Sequence, residues 1–260
     1  MLKKLAIVFA LVAAAQAAHA APIDLSDWSR LNIDLPGGQG GGNWVLETGN
    51  TSVRQVNNAD PSLFLNNLNQ TSYSIDGQWQ VLTASDDDYM GFVFGYQNSS
   101  NFYMFDWKQI SQNANSALAA EGMTIKKYEG ATGNALIDLS LQEFWANTVN
   151  VGDITVLATN HSSTAGWADN VLYDFHLDLN VNPGEIHVVI AQGSTTLWDV
   201  TVNDSTFTSG QFGFYNFSQE QVRYAGFEQT GGTIVPEPWT LPLFGIVLAG
   251  LGVVRRRRAG

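Results

Sequence analysis

The densest run of chemistry-bearing side chains in this 260-residue chain is Ser85-Asp86-Asp87-Asp88, followed at once by the apolar stretch Tyr89-Met90-Gly91-Phe92-Val93-Phe94. Three adjacent carboxylates repel one another, and a highly charged cation that prefers oxygen relieves the repulsion. Calcium suits such a loop because it accepts six to eight oxygens in loose geometry, backbone carbonyls and water included; magnesium demands stricter octahedral geometry, and zinc wants His or Cys. A solvated acidic loop without an ion is the alternative these residues leave open. Other chemistries are thinly represented. His161, His176 and His187 lack metal-ligand spacing and read as sheet or loop residues. Asp174 and Asp178 stand at i and i+4 with His176 between them. That spacing is open to the paired carboxylates of a glycoside hydrolase or lyase, yet it falls on the polar side of an alternating strand, where solvated residues are expected. There is neither a Gly-x-Ser-x-Gly elbow nor a phosphate-binding glycine loop. The chain has no cysteine, which excludes disulfides, thiolate metal sites and cysteine nucleophiles together. The reading is a non-catalytic protein.

The elements that must hold these residues are strands. From Val171 to Leu179, Val171, Tyr173, Phe175, Leu177 and Leu179 share one face while Asp174, His176 and Asp178 share the other, the pattern of an antiparallel sandwich sheet with one wet side. Asn182-Pro183-Gly184 turns the chain into Glu185 to Ala191, and Gly193-Ser194 turns it again into Thr196 to Val202. Gln78 to Ala84, Gly91 to Gln97 and Phe102 to Gln109 form an upstream series, with Asn98-Ser99-Ser100-Asn101 as a hairpin loop; Gln211 to Phe217 and Gln221 to Gln229 make a final pair. The fold class is all-β. Trp28, Trp44, Trp79, Trp107, Trp145, Trp167 and Trp198 are expected to fill one common core between two sheets. Gly37 to Gly42, with five glycines in six residues, reads as a flexible segment, and residues 231–235, beginning Gly231-Gly232-Thr233, read as a linker after a single domain at 21–230.

Both ends carry targeting signals. Lys3 and Lys4, the apolar run Leu5 to Ala15 and small residues at Ala18 and Ala20 predict a secretory signal peptide over 1–20, cleaved after Ala20. At the other end Pro236-Glu237-Pro238 precedes an apolar run from Trp239 to Val254 and the cluster Arg255 to Arg258. Sixteen helical residues reach ~24 Å, short of a ~30 Å hydrocarbon core but workable with snorkelling arginines, so 239–254 is a predicted transmembrane segment with its basic end in the cytoplasm. These three parts in order resemble the PEP-CTERM sorting signal, which implies an exosortase-type membrane protease as a processing partner and a protein exported to the cell envelope, cell surface or extracellular matrix. An ordinary single-pass tail anchor gives the same topology. Between the signals, residues 21–235 hold six basic and 23 acidic side chains, a net charge of −17. Such a surface repels nucleic acid and favours cations.

Several spaced motifs, in order, resemble the C-terminal domain of thrombospondins. They are Val53-Arg54-Gln55-Val56-Asn57-Asn58-Ala59-Asp60-Pro61, the run Asp86 to Gln97, Asn98 to Tyr103 with Trp107-Lys108-Gln109, Gly166-Trp167 with Tyr173, and Phe214 with Phe217-Ser218-Gln219-Glu220. The resemblance covers roughly Ile23 to Gln229. It implies a concanavalin A-like jelly roll of two antiparallel sheets, serving extracellular interaction with calcium bound in its loops. By motif position it makes Asp86, Asp87 and Asp88 the leading calcium ligands, with Asp60 and Asn58 added from the other matched loop. The cysteines and the calcium-rich repeat region of the animal proteins are absent from this sequence. The implied function is a calcium-binding surface or matrix adhesion module, with exopolysaccharide or a surface glycan as the partner that the sorting signal suggests. A calcium-dependent lectin is the alternative; it requires exposed rings, for which Tyr89, Tyr96, Trp145 and Trp167 are candidates.

Overall fold

A computed structural model of the chain describes residues 22–131 and 139–235. The predicted signal peptide and the Pro236-Glu237-Pro238 tail with its transmembrane segment lie outside the described residues. Among the described residues, no helix is long and apolar enough to cross a membrane.

Among the described residues, sixteen strands account for almost all the regular structure: β1 Ser29–Asn32, β2 Trp44–Leu46, β3 Ser52–Gln55, β4 Ser62–Leu65, β5 Gln70–Val81, β6 Tyr89–Asn98, β7 Asn101–Lys108, β8 Gln112–Ala114, β9 Ala117–Ala119, β10 Gly122–Glu129, β11 Ile154–His161, β12 Leu172–Asn180, β13 Glu185–Gln192, β14 Thr195–Asn203, β15 Gln211–Phe217 and β16 Val222–Ile234. One seven-stranded sheet has the order β1-β4-β15-β6-β7-β10-β11, the other β14-β13-β12-β5-β16-β3-β2, and β8 and β9 form a separate hairpin. The all-β, two-sheet expectation therefore holds.

The two sheets differ in what covers them, and their sequences differ accordingly. In the second sheet β12 alternates: Tyr173, Phe175, Leu177 and Leu179 are buried, while Asp174, His176 and Asp178 stay partly open to solvent. Its outer face is wet. The central strands of the first sheet are buried on both faces, with β6 buried from Tyr89 to Tyr96 and β7 from Phe102 to Lys108. Their inner residues (Phe92, Phe94, Phe105, Trp107) join Trp79, Phe175 and Phe214 between the sheets, where Trp79 stacks on Phe175 at 4.8 Å and Phe214 on Tyr224 at 4.5 Å. Such ring pairs contribute about 0.5–1.5 kcal/mol each beyond their buried area. Their outer residues (Tyr89, Val93, Phe102, Met104) form a second core with a one-turn helix, α1, Leu141–Trp145. Ser140 caps α1, its hydroxyl accepting from the Glu143 amide while the Glu143 carboxylate reaches back to the Ser140 amide. Trp145 consequently belongs to this outer core rather than to the inter-sheet core expected for all seven tryptophans.

Two further expectations change. Gly231, Gly232 and Thr233 are not a linker: β16 continues through them, pairing Gly231 with Tyr73 and Thr233 with Thr71. The stretch from Gly37 to Gly42 is packed rather than free, because Gly38, Gly41 and Gly42 lie hard against Asp60, Asn32 and Ser62. A Cβ at Gly38 would fall 2.0 Å from an Asp60 carboxylate oxygen, so only glycine fits there.

Candidate functional site

Loops from several strand ends converge beside the start of β6. The segment 82–88 leads from β5 into β6 and carries Asp86, Asp87 and Asp88, whose carboxylate oxygens lie within 4.8 Å of one another. Segment 56–61 brings Asn58, 218–221 brings Gln219 and Glu220, and the stretch before β12 brings Trp167. Asn58 Nδ2 donates to Asp86 Oδ2 at 2.9 Å, and the Glu220 backbone amide donates to the same oxygen at 3.2 Å. The Asp88 amide donates to Gln219 Oε1 at 2.8 Å, and Trp167 Nε1 donates to the Asp88 carbonyl at 3.1 Å. An open cleft of about 730 Å³ lies over the three acids, lined also by Gln109, Gln112, Trp167 and Asp169.

A lysine that sequence reasoning did not connect with the triplet sits inside it. In the β6–β7 hairpin Lys108 stands opposite Tyr89, the residue after Asp88. Its side chain is fully buried, and Nζ donates to Asp88 Oδ1 at 2.6 Å, to the Asp87 carbonyl at 2.8 Å and to Gln112 Oε1 at 2.8 Å, with Asp87 Oδ1 at 3.4 Å. Three short contacts use all three ammonium donors. Lys108 thus neutralises one charge of the triplet on the Asp87–Asp88 side, and among the described residues Asp86 gains no ion pair. Burial, reinforced by the neighbouring Asp88 carboxylate, pushes the Asp86 carboxyl up to about 6. Burial also raises that of Asp88, against the opposing pull of Lys108.

The other expected ligands have different roles. Asp60 is buried and accepts from the backbone amides of Gln39 at 2.9 Å and Gly40 at 3.2 Å, so it fastens the glycine loop and is not brought into the triplet. Asn58 reaches the triplet, but as a hydrogen-bond donor to Asp86. The four rings expected to form a sugar platform, Tyr89, Tyr96, Trp145 and Trp167, are all buried. Asp174 accepts from Gln78 Nε2 at 2.8 Å on the wet face of the second sheet. His161 is an ordinary sheet residue bonded to Thr124 Oγ1 at 2.9 Å. His176 and His187, by contrast, are brought together around Asp178 on adjacent strands, which their sequence spacing did not suggest.

A family model described as the thrombospondin C-terminal region matches residues 39–230. Thrombospondin-3b of Danio rerio is 31% identical over 205 residues, which cover 76% of this chain and 22% of that protein. Cartilage oligomeric matrix protein of Bos taurus is 30% identical over 203 residues, covering 76% of this chain and 26% of that protein. The matched part is therefore between 22% and 26% of the length of these two relatives. Among solved structures, the carbohydrate binding module CBM66 from Bacillus subtilis aligns over 78% of this chain and 95% of its own, with a TM-score of 0.50 and 11% identity, a likeness of fold alone.

Proposed function

We propose a function from one premise: the chain belongs to the thrombospondin C-terminal region family. In this reading it is an exported, non-catalytic adhesion or structural module of the cell surface or extracellular matrix, stabilised by calcium in the loop that carries Asp86, Asp87 and Asp88. The observation that carries the calcium assignment is Asp86, half-buried, raised in pKa by its surroundings and without an ion pair among the described residues, beside two carboxylates that already share one lysine. Three carboxylates and one ammonium leave two negative charges. The donor set is oxygen, which fits calcium and not a softer metal. Asp86, Asp87 and Asp88 would hold the ion; Asn58 and the Glu220 amide keep the Asp86 carboxylate in place, and Gln219 fastens the Asp88 backbone amide. Bound calcium would supply positive charge that ties the β5–β6 loop to the segments it touches.

Export and sorting rest on the two terminal motifs. Mass spectrometry of the protein recovered from its producing cells is expected to show a mature chain that starts at Ala21 and ends near Pro236-Glu237-Pro238, as exosortase-type processing would leave it. A chain ending at Gly260 opposes the processing. Exopolysaccharide or another surface glycan is the proposed partner, approached from a surface without the aromatic platform a lectin would need at the four rings named above. The calcium assignment is tested by calorimetry of the purified protein with calcium and with chelator. Calcium is expected to raise the melting temperature of the wild type and to leave Asp86→Asn unchanged; identical melting of the wild type in both conditions overturns it.

A further inference from the structure

The wet face of the second sheet carries a second group of ligating atoms, of a different kind. His176 and Asp178 point outward from β12, and the hairpin register sets Asp178 opposite His187 on β13. His176 Nε2 lies 3.0 Å and His187 Nδ1 lies 3.6 Å from the same oxygen, Asp178 Oδ2. The other carboxylate oxygen of Asp178 is occupied by the Ser74 hydroxyl of β5. The far nitrogen of each ring is also engaged: His176 Nδ1 is 2.7 Å from Asp76 Oδ1 on β5, and His187 Nε2 is 2.9 Å from Asp199 Oδ1 on β14. A carboxylate can only accept, so each outer nitrogen carries the proton. The inner nitrogens of both rings then converge on one carboxylate oxygen, an arrangement of three ligating atoms that a shared cation would satisfy.

At 3.6 Å the His187 Nδ1 contact with Asp178 is too long for a hydrogen bond, whereas a metal ion lying among the three atoms would engage all of them. Tetrahedral zinc with bonds of about 2.0 Å sets its ligand atoms about 3.3 Å apart, and the two observed separations bracket that value. Outer carboxylates on the non-ligating nitrogens are the usual supports of metal-bound histidine, fixing tautomer and ring orientation. All three side chains keep some exposure, so an ion can enter from solvent and retain a water as its fourth ligand.

We propose that His176, Asp178 and His187 form a zinc site, oriented by Asp76 and Asp199 and clipping β12 to β13 on the outer face of the second sheet. It is independent of the calcium loop in both ligand chemistry and position. The test is zinc titration of the purified protein against a chromophoric chelator in saturating calcium, which keeps the acidic loop occupied. One equivalent of zinc is expected to bind to the wild type and to Asp86→Asn alike. His176→Gln and His187→Gln should each weaken binding by at least about 100-fold, and Asp199→Ala, which removes only an orienting acceptor, by about 10- to 100-fold. Cobalt in place of zinc is expected to give the intense visible bands of a tetrahedral ion with nitrogen ligands, and those bands should vanish in His187→Gln. These substitutions lie on a wet face, and unchanged melting without metal will confirm that the variants fold. Failure of the wild type to take up zinc, or equal uptake by the histidine variants, overturns the proposal.

Discussion

Replacing Lys108 by Met tests the electrostatic structure of the acidic loop most severely. Methionine keeps the length and the apolar stem but removes the ammonium that Asp88, the Asp87 carbonyl and Gln112 share. Breaking a buried ion pair by deleting one partner costs about 3–5 kcal/mol, because the remaining charge is left unpaired away from water. The Lys108 side chain is 0% exposed and that of Asp88 only 10%, but Asp87 is 28% exposed and recovers some hydration. The low end, about 3 kcal/mol, is therefore appropriate. For a domain of this size each kcal/mol moves the melting temperature by about 2–4 °C, so the variant should melt about 6–12 °C below the wild type in chelator. Calcium should then help the variant more than the wild type, since three uncompensated carboxylates attract the ion more strongly than three that share a lysine. Binding at 100 times the dissociation constant is worth about 2.7 kcal/mol. Differential scanning calorimetry at matched ionic strength reads both quantities. A variant that melts with the wild type in chelator, or that gains less from calcium, would refute the view that Lys108 supplies the loop's missing positive charge.

Two other outcomes follow from the same physics. The Asp86 carboxyl, held at about 6 against an ordinary 3.8, binds its proton more tightly in the folded state. Its contribution to stability is therefore fully present below pH 3.8 and is lost as pH rises through about 6. In chelator, the difference in stability between wild type and Asp86→Asn should fall across that window and level off above it; a difference that does not vary with pH opposes the assignment. On the outer face of the first sheet, Lys126 Nζ and Asp106 Oδ2 are 2.6 Å apart and both side chains are fully buried. Lys126→Met alone should cost about 3–5 kcal/mol in denaturant unfolding, while Lys126→Met with Asp106→Leu should recover most of it. Equal losses in the single and double variants would show that the packing of these side chains, not the pair's charge, sets the cost.

The sequence was informative where one face of a strand meets water. Tyr173, Phe175, Leu177 and Leu179 alternate with polar residues because the second sheet is solvated outside, and the observed β12, Leu172–Asn180, lies within a residue of the expected strand. Gln211 to Phe217 matches β15 at both ends. The first sheet was harder to read. Its strands β6 and β7 appear in sequence as unbroken apolar runs, which shows that they are buried but not that α1 and its neighbours supply a second layer. Strand β10 went unrecognised because Lys126 and Lys127 interrupt its apolar pattern, and what makes Lys126 tolerable there is Asp106, 20 residues away on β7. The acid triplet is legible as a cation-seeking loop, yet its internal cation is not, since Lys108 reaches it only through hairpin register. A signal for the histidine pair was present. A turn at 182–184 folds Glu185 onto Asn180 and thereby His187 onto Asp178, so writing out the register of that hairpin would have found it.

The central claim is that the loop at Asp86 binds an oxygen-seeking cation, and terbium luminescence addresses it most directly. Terbium takes oxygen ligands as calcium does, and it emits when a neighbouring indole is excited. Trp167 is suitably placed, its Nε1 lying 3.1 Å from the Asp88 carbonyl. Titration of the purified protein is expected to give saturable emission on tryptophan excitation, displaced by calcium and absent from Asp86→Asn. Emission that is missing from the wild type, or that persists undiminished in Asp86→Asn and resists calcium, would contradict the claim.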